Sequence, residues 1–169
     1  MNGHPGGLEH TRRMLALSGV HSGARILDMG AGAGEAVALL HSLGYDAVGI
    51  DLEPRSALVQ EGDMLCTGFE SGSFDAILSQ CAFTVSGDVP GALREARRLL
   101  RPGGTLMLSD VFFEGPEEYI EQAGFRLACK EDMTALWREY YLEALWRGDV
   151  NCCVGRGKSS YWLLICEKE

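Results

Sequence analysis

The fold is decided by one stretch of the chain, Ile26-Leu27-Asp28-Met29-Gly30-Ala31-Gly32-Ala33-Gly34-Glu35-Ala36-Val37. It begins as a short apolar strand, passes through one carboxylate and three alternate glycines, and continues as a helical pattern. Glycine permits backbone angles that a Cβ atom would forbid, and it lets the chain pass close to a ligand. The helix that follows directs unsatisfied N–H groups toward the turn. The stretch therefore predicts a turn that either holds a nucleotide or simply connects a strand to a helix.

The glycine spacing departs from the dinucleotide-binding fingerprint. After Gly30 and Gly32, that fingerprint has a glycine three places further on, where this chain has Glu35. A negative side chain is unfavourable beside a pyrophosphate. Asp28 and Asp51, at the ends of two successive strand-like runs, instead offer carboxylates to a ligand with hydroxyl groups and a positive charge. A nucleotide-dependent oxidoreductase that binds NAD is therefore a disfavoured alternative.

This stretch and three later motifs resemble the class I S-adenosylmethionine-dependent methyltransferases, in the manner of the small type 11 enzymes. The later motifs occur in the family's order, as Gly62-Asp63-Met64, Ser73-Phe74-Asp75-Ala76-Ile77-Leu78 and Leu99-Leu100-Arg101-Pro102-Gly103-Gly104-Thr105-Leu106. The resemblance is close over about residues 23–113. It implies an α/β fold: a Rossmann-like, doubly wound, mostly parallel sheet with an antiparallel last strand between two layers of helices.

The resemblance also implies the cofactor S-adenosyl-L-methionine and a set of residues that bind it. Asp51 would bind the ribose hydroxyls, and Asp63 would accept a hydrogen bond from the adenine amine. In an open parallel sheet, such residues lie together beyond the carboxyl ends of the strands. The predicted cofactor-binding residues are Asp28, Gly30, Ala31, Gly32, Asp51, Leu52, Asp63, Met64, Gln80 and Cys81. For Asp51 and Asp63 the alternative is a role as turn caps.

Asp28 needs partners, because a carboxylate at the end of a buried strand is costly unless it is paired or hydrogen-bonded. We expect these partners to be backbone N–H groups of the glycine turn and the ammonium group of the cofactor. Asp75, at the start of a later strand, is expected to have a structural role instead.

The periodicity predicts alternating strands and helices, with one departure from the family. Strands are predicted at 24–29, 74–80, 105–111, 125–129 and 160–167, and helices at 8–17, 34–43, 117–123 and 134–146, with a further helix that Asp88 caps and Pro90 favours. Between the second strand, which ends at Asp51, and the next extended run at 57–60, Pro54 and the short spacing leave no room for the usual helix. The second crossover is therefore predicted to be a short loop.

The totals favour one domain that spans residues 1–169. Residues 1–20 form a candidate lid that could instead simply pack on the sheet, and residues 133–158 form a candidate acceptor-side insertion. A net charge of -9 argues against nucleic acid as a partner. No leader or membrane-spanning run is present, so the expected location is cytoplasmic with no membrane partner. Six irregularly spaced cysteines are expected to be reduced thiols.

The predicted function is transfer of a methyl group to a small-molecule acceptor by direct displacement. The catalytic residues are unknown, with Asp110, Tyr140, Tyr141 and His10 as candidate bases. One alternative is a non-catalytic module that binds the cofactor as a sensor or partner subunit. No metal site is predicted, although Cys152-Cys153 raises a thiol-dependent alternative such as arsenic methylation. The oligomeric state and the acceptor are not evident from the sequence.

Overall fold

The computed structural model describes residues 4–148 and 159–169. The elements, in chain order, are α1 (Gly7–Ser18), β1 (Arg25–Met29), α2 (Glu35–Ser42), β2 (Asp46–Asp51), β3 (Val59–Glu61), β4 (Phe74–Gln80), α3 (Val89–Leu99), β5 (Leu100–Phe112), α4 (Glu117–Gln122), β6 (Phe125–Asp132), α5 (Thr134–Trp146) and β7 (Ser160–Lys168). The predicted alternation of strands and helices is confirmed. Cys152 and Cys153 lie outside the described residues.

All seven strands form one sheet in the order β3-β2-β1-β4-β5-β7-β6. Strands β1 to β5 pair in parallel, and β7 runs antiparallel to both of its neighbours, β5 and β6. The predicted antiparallel last strand is therefore confirmed. Three strands are longer than predicted: β5 begins at Leu100, which pairs with Phe74 ahead of a register shift, β6 continues to Asp132 along β7, and β7 ends one residue later, at Lys168.

Each face of the sheet packs against its own helices. Side chains alternate along a strand, so Leu27 and Ile77 join one core with α3 and α4, whereas Ile26 and Ala76 join the other with α1 and α2. Both cores contain side chains that are fully buried. This burial on both faces explains why the central strands are apolar throughout, and it confirms the three-layer arrangement.

The second crossover contains no helix, as predicted from its length. Residues 52–58 form a loop between β2 and β3, and its backbone returns to the glycine turn through a hydrogen bond from the N–H of Arg55 to the carbonyl of Gly32 (3.0 Å). This loop therefore contacts the glycine turn.

The helix α1 packs on the sheet through buried contacts. Met14 and Leu15 join the core on its face of the sheet, and Thr11 donates a hydrogen bond to Gln80 Oε1 (3.0 Å) at the end of β4. In these contacts α1 packs on the sheet, which is one of the two predicted alternatives. The other, in which residues 1–20 close over a ligand, stays a prediction. No helix in residues 4–148 or 159–169 has the length and apolar character that a membrane span needs.

Candidate functional site

A cavity of about 490 Å³ opens at the carboxyl ends of the parallel strands. Its position agrees with the expectation for an open α/β sheet, whose ligands lie beyond the carboxyl ends of the strands. All ten residues predicted to bind the cofactor line this cavity, namely Asp28, Gly30, Ala31, Gly32, Asp51, Leu52, Asp63, Met64, Gln80 and Cys81. The structure thus brings together residues from four separate parts of the chain.

The glycine turn wraps closely around the end of β2. Gly30, Gly32 and Gly34 all have positive φ angles, of 88°, 53° and 79°, in the region that glycine adopts without steric cost. A Cβ atom on Gly30 would lie 2.3 Å from the Cβ of Ala82, so the first glycine is also needed for close packing. The turn therefore presents bare backbone to the cavity.

Asp51 holds this turn in place. Its Oδ2 accepts a hydrogen bond from the N–H of Gly32 (2.8 Å), and its Oδ1 accepts one from the N–H of Glu53 (2.9 Å). The carboxylate thus acts as a turn cap while it lines the cavity. The two interpretations that the sequence left open are compatible in this geometry, because a carboxylate oxygen accepts more than one hydrogen bond.

Asp63 lines the cavity from the segment that follows β3. Its Oδ1 accepts a hydrogen bond from the N–H of Leu65 (2.8 Å), and its Oδ2 has no hydrogen bond from any residue that the structure describes. Met64 beside it is half-buried. Leu52 is 64% exposed. These residues form a wall with one free carboxylate oxygen and two apolar side chains.

Asp28 does not have the partners that we expected from within the chain. The N–H groups of Gly30 and Ala31 both donate to the carbonyl of Ile50 (2.9 Å each), and that of Gly32 donates to Asp51. The prediction was wrong because the carbonyl of Ile50 and the side chain of Asp51, both in β2, accept the hydrogen bonds of these N–H groups. The Asp28 side chain therefore receives no hydrogen bond from the described residues.

The burial of Asp28 has an electrostatic consequence. The residue is 3% exposed. Removal from water, with a smaller contribution from the nearby charge of Asp51, raises the pKa of the Asp28 carboxyl from 3.8 to about 7. A buried carboxyl without a donor is a group that a cation in the cavity would satisfy.

The end of β4 carries a polar network toward α1. Gln80 accepts from Thr11, and its Nε2 lies 3.2 Å from Nδ1 of His4. Cys81 has a φ angle of 56°, which is uncommon outside glycine, and its thiol donates to the hydroxyl of Tyr161 (3.4 Å). Burial raises the pKa of the Cys81 thiol to about 12. The thiol therefore stays protonated, whereas soft ions bind thiolates.

None of the four candidate bases lines the cavity. Asp110 accepts hydrogen bonds from the hydroxyl and the N–H of Thr84, so it holds the loop after β4. The Nε2 atom of His10, a residue of α1, lies 2.7 Å from Oγ of Ser109 in β5. Tyr140 and Tyr141 lie in α5 with their rings in contact with each other. A direct role in proton transfer has no support from this arrangement.

Several cavity-lining residues were missed from the sequence. They are His4, Ala33, Glu35, Ala36, Ile50, Arg55, Gly62, Leu65, Ala82, Val85 and Ser86. Arg55 and Glu35 are the most informative, because they add charge to the site. Arg55 had no recognisable signal, since it lies in the loop that departs from the family pattern. Glu35 was noted only as a mismatch to the dinucleotide fingerprint.

The described lining is predominantly acidic. It contains the four carboxyl groups of Asp28, Glu35, Asp51 and Asp63 and one guanidinium, that of Arg55. No cluster of three or more potential metal ligands occurs in residues 4–148 and 159–169. Within the same ranges, Cys66, Cys81, Cys129 and Cys166 are free thiols.

Comparison with known proteins points to one family. The family model described as "Methyltransferase domain" matches residues 27–108. The chain is 30% identical over 115 residues to an arsenite methyltransferase of Aquipseudomonas alcaligenes, covering 53% of this chain and 33% of that protein. It is also 30% identical over 126 residues to a demethylmenaquinone methyltransferase of Tropheryma whipplei, covering 66% of this chain and 51% of that protein. The matches thus span between a third and about half of these relatives.

Solved structures share the whole architecture. A sarcosine dimethylglycine methyltransferase assigned in Galdieria sulphuraria superposes with a TM-score of 0.74 at 20% identity, over 95% of this chain and 84% of that one. A phosphoethanolamine N-methyltransferase of Haemonchus contortus, crystallised with S-adenosyl-L-methionine, superposes with a TM-score of 0.77 at 20% identity, over 98% of this chain and 53% of that one. At these identities the likeness establishes the fold.

Proposed function

Since its matched residues and its fold place this chain in the class I S-adenosylmethionine-dependent methyltransferase family, we propose that it transfers the methyl group of S-adenosyl-L-methionine to a small-molecule acceptor. The cavity at the carboxyl ends of the strands is the proposed site for both molecules. The ten lining residues predicted from the sequence are the proposed cofactor contacts.

Asp28 is the observation that carries the proposal. A buried carboxyl that receives no hydrogen bond from the described residues is costly to ionise. The cofactor carries an ammonium group on its methionine part, which would supply the missing donor and charge. The residue therefore fits this ligand better than it fits a neutral or anionic one.

The remaining carboxylates support the same ligand. Asp51 retains acceptor capacity for the ribose hydroxyls after capping the turn, and the free Oδ2 of Asp63 suits the adenine amine. NAD carries two phosphate charges, which would lie among four carboxyl groups and a single guanidinium. Such like charges repel, so the lining disfavours the oxidoreductase alternative.

The cofactor supplies an activated methyl group on a sulfonium, whose leaving group is already good. The chain therefore contributes alignment and exclusion of water more than acid or base chemistry. Its apolar lining, which includes Met64, Ala82 and Val85, would keep water from the reacting atoms. His4 lines the cavity as well, and burial lowers the pKa of its imidazole.

The proposed acceptor class rests on the relatives. The relatives include arsenite, demethylmenaquinone and phosphoethanolamine methyltransferases, which are named for chemically different small molecules. We favour an organic acceptor over arsenite, because the described lining contains one thiol, that of Cys81, and no cluster of three or more potential metal ligands occurs in the described residues.

A thermal-shift titration tests the cofactor. S-adenosylhomocysteine at 100 times its dissociation constant adds about 2.7 kcal/mol to the free energy of unfolding. We expect shifts with S-adenosylmethionine and S-adenosylhomocysteine and none with NAD. A shift with NAD alone would contradict the proposal.

A second measurement separates an enzyme from a binding module. All four predicted bases lie outside the cavity lining. A module that binds the cofactor without turnover is therefore the second candidate function. Formation of S-adenosylhomocysteine from S-adenosylmethionine is therefore followed with demethylmenaquinone, phosphoethanolamine and arsenite in parallel. Turnover with an acceptor supports the enzyme, and binding without turnover on a broad acceptor panel favours the module.

A further inference from the structure

Arg55 lies directly over the glycine turn. A Cβ atom placed on Gly32 would be 2.4 Å from Nη2 of Arg55, so the guanidinium rests against the bare backbone of that glycine. The N–H of Arg55 also donates to the carbonyl of Gly32 (3.0 Å). The backbone N–H and the guanidinium of Arg55 therefore both contact the glycine turn, and the side chain lines the cavity.

The shortened crossover is the reason for this position. Residues 52–58 pass from β2 to β3 without a helix, and the loop runs close enough to the glycine turn for Ser56 and Leu58 to approach within 3.2 Å of a Cβ atom built on Gly34. The same path brings Arg55 over Gly32. A regular helix in this crossover would take the chain along a different path.

The charge of Arg55 has no counterion in the described chain. No carboxylate in residues 4–148 or 159–169 forms an ion pair with it, and its side chain is exposed. An exposed arginine without an ion-pair partner is usually a solvated surface charge. Arg55 differs because it is the single guanidinium in a described lining that otherwise contains four carboxyl groups.

We propose that Arg55 binds the carboxylate of the methionine part of the cofactor. This inference rests on the proposed function, and it accounts for the one anionic group of the ligand that the acidic lining cannot satisfy. The ligand has an ammonium for Asp28, hydroxyls for Asp51, an amine for Asp63 and a carboxylate that needs a donor. A guanidinium offers a carboxylate two parallel N–H donors, a geometry that lysine lacks.

The experiment pairs a change in the protein with a change in the ligand. Arg55→Met keeps the aliphatic stem and removes the charge and the donors. The ligands are S-adenosylhomocysteine and its decarboxylated analogue 5′-deoxy-5′-(3-aminopropylthio)adenosine, which differ only in the carboxylate. Dissociation constants for both are measured by calorimetry with wild type, Arg55→Met and the control Arg12→Met. Arg12 is an exposed arginine of α1 that does not line the cavity.

We expect Arg55→Met to weaken S-adenosylhomocysteine binding about tenfold and to change binding of the decarboxylated analogue by less than twofold. Arg55→Lys should recover part of the lost affinity, and Arg12→Met should bind both ligands as wild type does. Equal losses for the two ligands, or no loss for either, would overturn the role of Arg55 while leaving the proposed function intact. Failure of wild type to bind S-adenosylhomocysteine would instead refute the proposed function, and the role of Arg55 with it.

Discussion

Replacement of Asp28 by asparagine should stabilise the ligand-free protein at neutral and alkaline pH. The carboxyl group is buried without a hydrogen-bond donor from the described residues, and its pKa is raised from 3.8 to about 7. Between these values the folded protein holds a proton that the unfolded chain has lost. Stability therefore falls as the pH rises from about 4 to about 7, and the loss persists above that range.

The size of the effect follows from the shift in pKa. At about 1.4 kcal/mol per pH unit, the rise from 3.8 to about 7 corresponds to an upper limit of about 4 kcal/mol. Water that enters the cavity screens part of this cost, so we expect about 2 kcal/mol at pH 8. For a chain of this length, that is a rise in Tm of roughly 4 to 8 °C.

The assay is urea unfolding of wild type and Asp28→Asn without ligand at pH 5, 6, 7 and 8. Only the difference between the two proteins is interpreted, because other groups also titrate. His10 is the main one: its pKa is lowered to about 4 by burial, so its contribution to stability is lost as the pH falls from about 6.5 toward 4. This contribution is common to both proteins and cancels in the difference.

The expected difference grows with pH and reaches its full value near pH 8. The same variant should bind S-adenosylhomocysteine at least tenfold more weakly, because the ammonium loses its charged partner. A stability difference that is equal at pH 5 and pH 8 would refute the argument, since it would show that Asp28 is not protonated by burial.

Three other changes test separate parts of the structure. Asp51→Ala should weaken S-adenosylhomocysteine binding by about 1 to 3 kcal/mol and also lower Tm, because the N–H of Gly32 loses its acceptor; unchanged affinity in calorimetry would remove Asp51 from the site. Gly32→Val should cost about 1 to 2 kcal/mol of stability from a φ angle of 53° and block the cofactor sterically, and a normal melting curve with normal binding would contradict the role of the turn. His10→Gln should reduce the loss of stability between pH 6.5 and 4 by about 2 kcal/mol, measured by urea unfolding, because the pKa of the histidine is lowered by burial to about 4; an identical pH profile would show that His10 is not the group responsible.

The fold was predictable because its signals are local. Apolar runs mark strands that are buried on both faces, and the helix α3 begins where Asp88 was expected to cap it, with Oδ1 accepting from the N–H of Gly91 (2.8 Å). Asp75 also has the structural role predicted for it, because it accepts from the N–H of Arg25 and pairs with Arg101. Strand ends were less predictable, since the extension of β5 back to Leu100 depends on a partner in β4.

Part of the cavity lining could be predicted for the same reason. Each of the ten residues lies at or just beyond the carboxyl end of a strand or in the glycine turn, and parallel strands bring their carboxyl ends to one edge of the sheet. Whether these residues bind the cofactor stays a prediction. The candidate bases were less predictable, because the structure places Asp110 and His10 in hydrogen bonds with Thr84 and Ser109 rather than in the cavity lining.

The sequence by itself determined the order of elements, the glycine turn and the short second crossover, because each depends on residues that are neighbours in the chain. Only the tertiary structure decided which groups the turn would satisfy. The N–H groups expected at Asp28 are taken by Ile50 and Asp51 from β2, which leaves that carboxyl without a described donor. It also decided that Arg55 lies over Gly32. Competition for a hydrogen bond, and the path of a loop across a neighbouring turn, depend on distances between residues far apart in sequence.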